Sequence, residues 1–96
     1  MNKIELPADY NALNAKQRRD VRDYYAVKQN GLCMFCETDL QDQPPAEVKK
    51  LKINWKLFPP GFTRYPVHLQ HDHSTGLTEG AVHSYCNAVM WQYYGR

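Results

Sequence analysis

No run of this 96-residue sequence is long and uncharged enough to span a bilayer, which leaves no candidate for a membrane-crossing helix within it. The opening Met-Asn-Lys-Ile-Glu-Leu-Pro has no apolar stretch of the kind a secretion signal needs. Cysteine is scarce, and its count of three cannot pair off completely. A disulfide framework is therefore not expected. A reducing cytoplasmic setting is, and there cysteine more often binds metal. There is no internal repeat, no low-complexity tract and no linker long enough to separate two domains, so residues 1–96 read as one domain. A chain this short gains only marginal stability from an apolar core and usually needs a staple. Neither sign of charge dominates: 12 basic against 10 acidic residues give a net charge of +2, too small to name a partner. The distribution says more, because all four histidines fall between His68 and His83 and ten of the twelve basic residues between Lys16 and Arg64.

The segment 14–30 reads as a helix, with Asn14 as cap, Gln17 three residues on as in a capping box, and Gly31 as the left-handed stop. Leu13, Val21, Tyr24, Tyr25 and the stem of Lys28 form the expected inner stripe, with Lys16, Arg18, Arg19 and Arg22 mostly elsewhere. An insertion follows at about 41–66, punctuated by Pro44-Pro45 and by Pro59-Pro60-Gly61. Within it Leu51, Ile53, Trp55 and Leu57 alternate with Lys50, Lys52, Asn54 and Lys56, a period of two that predicts a strand. The set Val48, Leu51, Trp55, Phe58 satisfies a helix as well. From about 67 to 94 the pattern predicts a strand to His71, a loop closed by Gly76, a strand from Leu77 to Val82 and a helix from Ser84 to Tyr94.

Zinc takes four thiolate or imidazole ligands in a tetrahedron, commonly as two close pairs from separate parts of a chain. Cys33-x-x-Cys36 supplies one pair and His83-x-x-Cys86 the other, which uses every cysteine. The competing reading makes Cys33 and Cys36 small core residues and His83 a surface imidazole. With four protein ligands such a zinc is structural, because no position stays open for a bound water. The run His68-Leu69-Gln70-His71-Asp72-His73 is dense in titratable groups; alternation in a strand sends His71 and His73 to one side and Gln70 and Asp72 to the other. Taken alone, that cluster is also compatible with a second metal site or a solvated loop.

Together with Thr75-Gly76, Gly80 and His83-Ser84-Tyr85-Cys86-Asn87, this run resembles the recombination endonuclease VII branch of the HNH nucleases. The likeness covers Cys33–Cys36 and His68–Asn87; the first thirty residues and the insertion have no counterpart in it. The resemblance implies an α+β fold with a zinc-stapled ββα-metal (His-Me finger) core, preceded by a helix and interrupted by the insertion. It implies a metal-dependent DNA endonuclease, of phage or mobile-element type, that leaves 5′-phosphate and 3′-hydroxyl ends. His71 would be the general base and Asn87 a ligand to one catalytic magnesium or manganese ion. His73 and His68 would orient phosphate or metal, and Gln70 stands where the family has an aspartate metal ligand. Glu79 stands where the family has the arginine of an Arg-Gly pair. An amide oxygen offers a hard cation a dipole where a carboxylate offers a charge, so weaker magnesium binding is expected.

In the insertion, Lys50, Lys52, Lys56 and Arg64 interleave with Trp55, Phe58, Phe62 and Tyr65, a composition that suits a surface tracking a nucleic-acid backbone. The same lysines equally fit the solvated face of a strand. The expected partner is DNA, with no membrane contact, and the size and basic helix are compatible with a homodimer. The reading from a different class is a non-catalytic zinc-bound DNA- or partner-binding module; a third is a small metal-handling protein.

Overall fold

A computed structural model describes residues 5–95. Asn14 caps helix α1 (Ala15–Lys28) in a full capping box: its side chain accepts from the Gln17 amide at 2.8 Å, and Gln17 accepts from the Asn14 amide at 2.9 Å. The helix ends as Gly31 turns to φ 77° and its amide donates to the Ala26 carbonyl. A tight turn through Cys33 and Cys36 follows, closed by a bridge between Leu32 and Asp39. Strands β1 (Val67–His71) and β2 (Thr78–His83) form an antiparallel hairpin in which Val67 faces His83 and Gln70 faces Gly80. The ladder then slips, with His71 facing Thr78, so that Glu79 bulges from β2. Helix α3 (Ser84–Tyr94) continues from β2 without a loop and stops at Gly95, φ 70°. The chain is thus a small α+β unit with a two-stranded sheet. Among the described residues no helix is long and apolar enough to cross a membrane.

A two-stranded sheet is marginal alone, and here other elements cover it. Cys33, Leu40, Val48, Val82, Cys86, Val89 and Met90 form one buried cluster that joins the cysteine turn, β2 and α3. The outer edge of β2 is closed by side chain and turn rather than by a third strand. Gln29 accepts from the Ala81 amide and donates to the Ala81 carbonyl, both at 2.9 Å, and that carbonyl also accepts from the Met34 amide at 3.0 Å. Gly80 permits this approach: a Cβ there would stand 2.7 Å from Met34 Sδ and 2.8 Å from Gln29 Oε1. The chain ahead of α1 lies along the start of β2, with Ala8 and Thr78 exchanging bonds and the Tyr10 amide donating to the Gly76 carbonyl.

Two expectations are corrected. The strand expected over Leu51–Leu57 does not form. The insertion carries instead a single turn of helix, α2 (Ala46–Lys49), an irregular stretch and a short 3-10 turn at Trp55–Leu57 whose Lys56 amide is capped by Asn54. A strand needs a partner for its backbone groups, and α3 side chains meet that need. Tyr85 Oη donates to the Lys49 and Leu51 carbonyls, while Tyr93 Oη and Gln92 Nε2 donate to the Lys52 carbonyl; Gln92 Oε1 accepts from the Asn54 amide. The supposed apolar face divides: Leu51 and Ile53 are partly buried against the core, while Trp55 and Leu57 are about half exposed.

The inner face of α1 also differs. Val21 is buried, but Tyr24 and Lys28 lie outside, paired ring to ammonium, while Arg18 and Arg22 turn inward. Amphipathic periodicity identifies the side that meets apolar surface; α1 packs partly over a polar cleft, so arginines occupy its inner face.

Gln29→Ala is expected to lower stability by about 1–3 kcal/mol, because it strips partners from buried backbone groups of β2. Urea denaturation measures it, and a loss below about 0.5 kcal/mol would mean that water replaces the side chain at no cost.

Candidate functional site

The two ligand pairs meet. The donor atoms of Cys33, Cys36, His83 and Cys86 lie within 4.8 Å of one another, and all but the half-buried Cys36 are buried. A tetrahedral zinc site has ~2.3 Å Zn–S bonds and hence ligand edges of ~3.8 Å. His83 Nδ1 is 3.4 Å from Cys36 Sγ and 3.6 Å from Cys86 Sγ. The other ring nitrogen, Nε2, is 3.0 Å from the Asp39 carbonyl oxygen, to which it donates. That contact puts the proton on Nε2 and leaves the Nδ1 lone pair facing the sulfurs, as a metal-ligating histidine requires. It also explains why His83, the residue at the N-cap of α3, forms no side-chain cap. Cys33 titrates well below an ordinary thiol, at about 4, chiefly because the Cys86 thiol donates to it. Cys86 is pushed up for the matching reason, then by burial and by the charge on its neighbours. Two sulfurs share one proton at a point where a dication would release it. The Cys3His set is compatible with a structural zinc of closed, four-ligand type.

Cys86 fixes the start of α3, and the next residue, about 100° further round the helix, faces another way. Asn87 lines a cleft of about 920 Å³ together with His68, Gln70, His71 and His73. Asn87 Nδ2 lies 3.1 Å from His68 Nδ1. An amide nitrogen only donates, so His68 accepts there and carries its own proton on Nε2. Burial lowers the His68 pKa, and the charge of Arg22 adds to the effect, partly offset by backbone bonds at Phe62 and Tyr65.

His71 sits in a stack of rings. Tyr10 lies on one side at 3.9 Å between centroids and His73 makes a further stacked contact at 4.7 Å. The Arg18 guanidinium covers the Tyr10 ring at 3.9 Å, and its Nε donates to the Tyr10 carbonyl at 3.1 Å. Burial lowers the His71 pKa most, followed by His73 and Arg18, against the raising effect of Glu79 and Asp72. Its imidazole is therefore neutral and able to accept a proton at physiological pH. Asp72 organises the following loop, its carboxylate accepting from the Ser74 and Thr75 amides at 2.7 and 3.0 Å.

Gln70 is almost fully buried, and its nitrogen donates to the His71 carbonyl at 2.9 Å and to Glu79 Oε1 at 3.3 Å. The two positions that depart from the HNH pattern thus touch each other across the bulge. Lys50, Lys52, Lys56 and Arg64 are exposed, and none lines the cleft. The basic residues that do are Arg18, Arg19 and Arg22 of α1. These and Tyr10 are what the sequence reading missed. The i, i+4 spacing of Arg18 and Arg22 was the available signal, since it fixes one helix face. Comparison of the chain with protein-family models, with curated proteins and with solved structures gives no match.

Purified protein is expected to carry about one zinc ion per chain, measured by elemental analysis. Cys36→Ser, or strong chelation, is expected to abolish the cooperative thermal transition in circular dichroism, because metal binding and folding are coupled in such sites. Acid is expected to do the same, as protons compete for the thiolates. A metal-free protein that melts cooperatively at the parent temperature would rule out a zinc staple.

Proposed function

We propose that this chain is a zinc-stapled nuclease of the ββα-metal (HNH) type that hydrolyses DNA phosphodiester bonds, with His71 as general base. The observation that carries the reading is the convergence of His68, His71 and Asn87 on one cleft with Arg18, Arg19 and Arg22, beside a four-donor cluster. Neutral His71, held between flanking rings, suits removal of a proton from an attacking water. His68 engages the nitrogen of the Asn87 amide, and in this reading the amide oxygen would face a hard cation. Asn87 would hold a magnesium or manganese ion there, and the chemistry such an ion would supply is neutralisation of charge on the scissile phosphate and the departing 3′ oxygen. The arginines of α1 neutralise the flanking phosphates. Lys50, Lys52, Lys56 and Arg64 add sequence-independent contacts outside the cleft. A second reading, a non-catalytic DNA-binding module, is favoured by Gln70, whose amide lacks the charge of a carboxylate ligand and whose nitrogen is engaged by Glu79.

Supercoiled plasmid should be nicked in the presence of magnesium or manganese. His71→Ala should lower the rate by about 10²–10⁴-fold, the usual share of a general base, with zinc content unchanged. Because burial, His73 and Arg18 lower the His71 pKa, the base stays unprotonated into mildly acidic solution. The acidic limb of the pH–rate profile is expected below the ordinary histidine midpoint of about 6.5. His73→Gln removes one lowering influence, so that limb should move to higher pH. Metal-dependent nicking that survives His71→Ala at the parent rate would exclude the proposed base, and binding without nicking would favour the second reading.

A further inference from the structure

The cleft has a second side that hydrolysis does not use. Opposite in character to the arginines of α1, the insertion and α3 contribute Phe58, Phe62, Tyr65 and Trp91. Trp91, Phe58 and Phe62 form a connected series that reaches the histidine cluster, with Tyr65 beside it on the cleft wall. Trp91 meets Phe58 edge-on at 5.5 Å, Phe58 meets Phe62 at 4.7 Å, and Phe62 meets His68 at 4.8 Å. Much of this surface stays in water: Trp91 is 41% exposed and Tyr65 62%. Leaving large rings exposed forgoes burial free energy, and contiguous apolar patches mark binding sites more often than chance. The neighbouring charge selects the occupant. Three arginines line the cleft, of which Arg22 is paired with Asp23 at 3.0 Å, and among the described residues no aspartate or glutamate lines it. An apolar protein segment would leave that positive charge unanswered. A ligand with both flat apolar faces and closely spaced negative charge answers both sides.

We propose that the aromatic side of the cleft is a base-stacking subsite and that the chain binds single-stranded DNA there in preference to duplex. A single strand presents base faces for rings to stack on while its phosphates meet a basic groove. A duplex hides those faces in its own stack and offers only edges and backbone. The series of rings ends at His68, which touches Asn87, so a base held on Phe62 or Trp91 brings its phosphate toward the histidines. A mononucleotide shares the same chemistry, but an open cleft of about 920 Å³ is at the upper end of the ~300–1,000 Å³ range of small-ligand sites. This inference rests on the nucleic-acid part of the preceding reading and not on hydrolysis.

The test is equilibrium binding of the zinc-loaded protein without added magnesium, so that a failure to cut and a failure to bind are read separately. Fluorescein-labelled oligo(dT), its duplex with oligo(dA), and dTMP as competitor are compared. The sequence has two tryptophans, so a Trp55→Phe protein reports stacking at Trp91 by fluorescence quenching. The expected result is at least tenfold tighter binding of the single strand, quenching of Trp91, and no displacement by dTMP at equimolar phosphate. Trp91→Ala should weaken single-strand binding about tenfold, the scale of one base–aromatic stack, and duplex binding much less. Tyr65→Ala, at a site too exposed to threaten folding, should act in the same direction. Equal affinity for strand and duplex, an unquenched Trp91, or displacement by dTMP would overturn the proposal. So would Trp91→Ala and Tyr65→Ala proteins that both keep parent affinity for the strand.

Discussion

Four soft donor atoms, two from a turn after α1 and two from the junction of β2 and α3, meet within 4.8 Å of one another. Everything else in the fold is arranged around that convergence. The turn that carries Cys33 and Cys36 lies against β2 through the Met34 amide. The junction that carries His83 and Cys86 sets the direction in which α3 leaves the hairpin. The buried cluster includes Cys33 and Cys86 themselves, so the apolar core and the donor cluster are one region rather than two. For a domain whose described residues hold a single two-stranded sheet, a metal crosslink at this point would supply what the core alone does not.

A second constraint follows from having so few strands. Backbone groups that a larger sheet would pair are met by long side chains: Gln29 on the edge of β2, and Tyr85, Gln92 and Tyr93 on the insertion. Each spans what a missing strand would otherwise cover. The insertion can therefore lie against α3 with only short helical turns and leave its aromatic rings at the rim of the cleft.

The cleft combines positions fixed by different means. Asn87 is fixed by its place beside Cys86 on α3, and His68 by its bond to Asn87. His71 is oriented by rings from Tyr10 and His73, with Arg18 over Tyr10. Two of those supports come from the first eighteen residues, the part of the chain that the HNH resemblance does not cover. In the proposed reading a general base must have its ring held and its charge state suited to its task. Tyr10, ahead of α1, stacks on the ring, and Arg18, within α1, helps to lower its pKa.

The sequence by itself determined the elements whose causes are local. A capping box, a glycine stop and two short ligand pairs act within a few residues, so α1 and the Cys3His cluster were legible from spacing. So were the hairpin and α3, through alternation and helical periodicity over short windows. Three features were decided only when distant segments met. The Leu51–Leu57 alternation looked like a strand, but a strand is a property of a pair, and α3 side chains took the partner's place. Arg18 and Arg22 looked like solvent-facing charge, but the surface that α1 packs on is partly a polar cleft, which hydrophobic periodicity does not register. Gln70 and Glu79 are nine residues apart in sequence, and a bulge in β2 lets them bond across the strands. Spacing along a chain specifies short-range contacts; the orientation of a face toward its neighbour is settled by tertiary packing, because it depends on what the other segment brings.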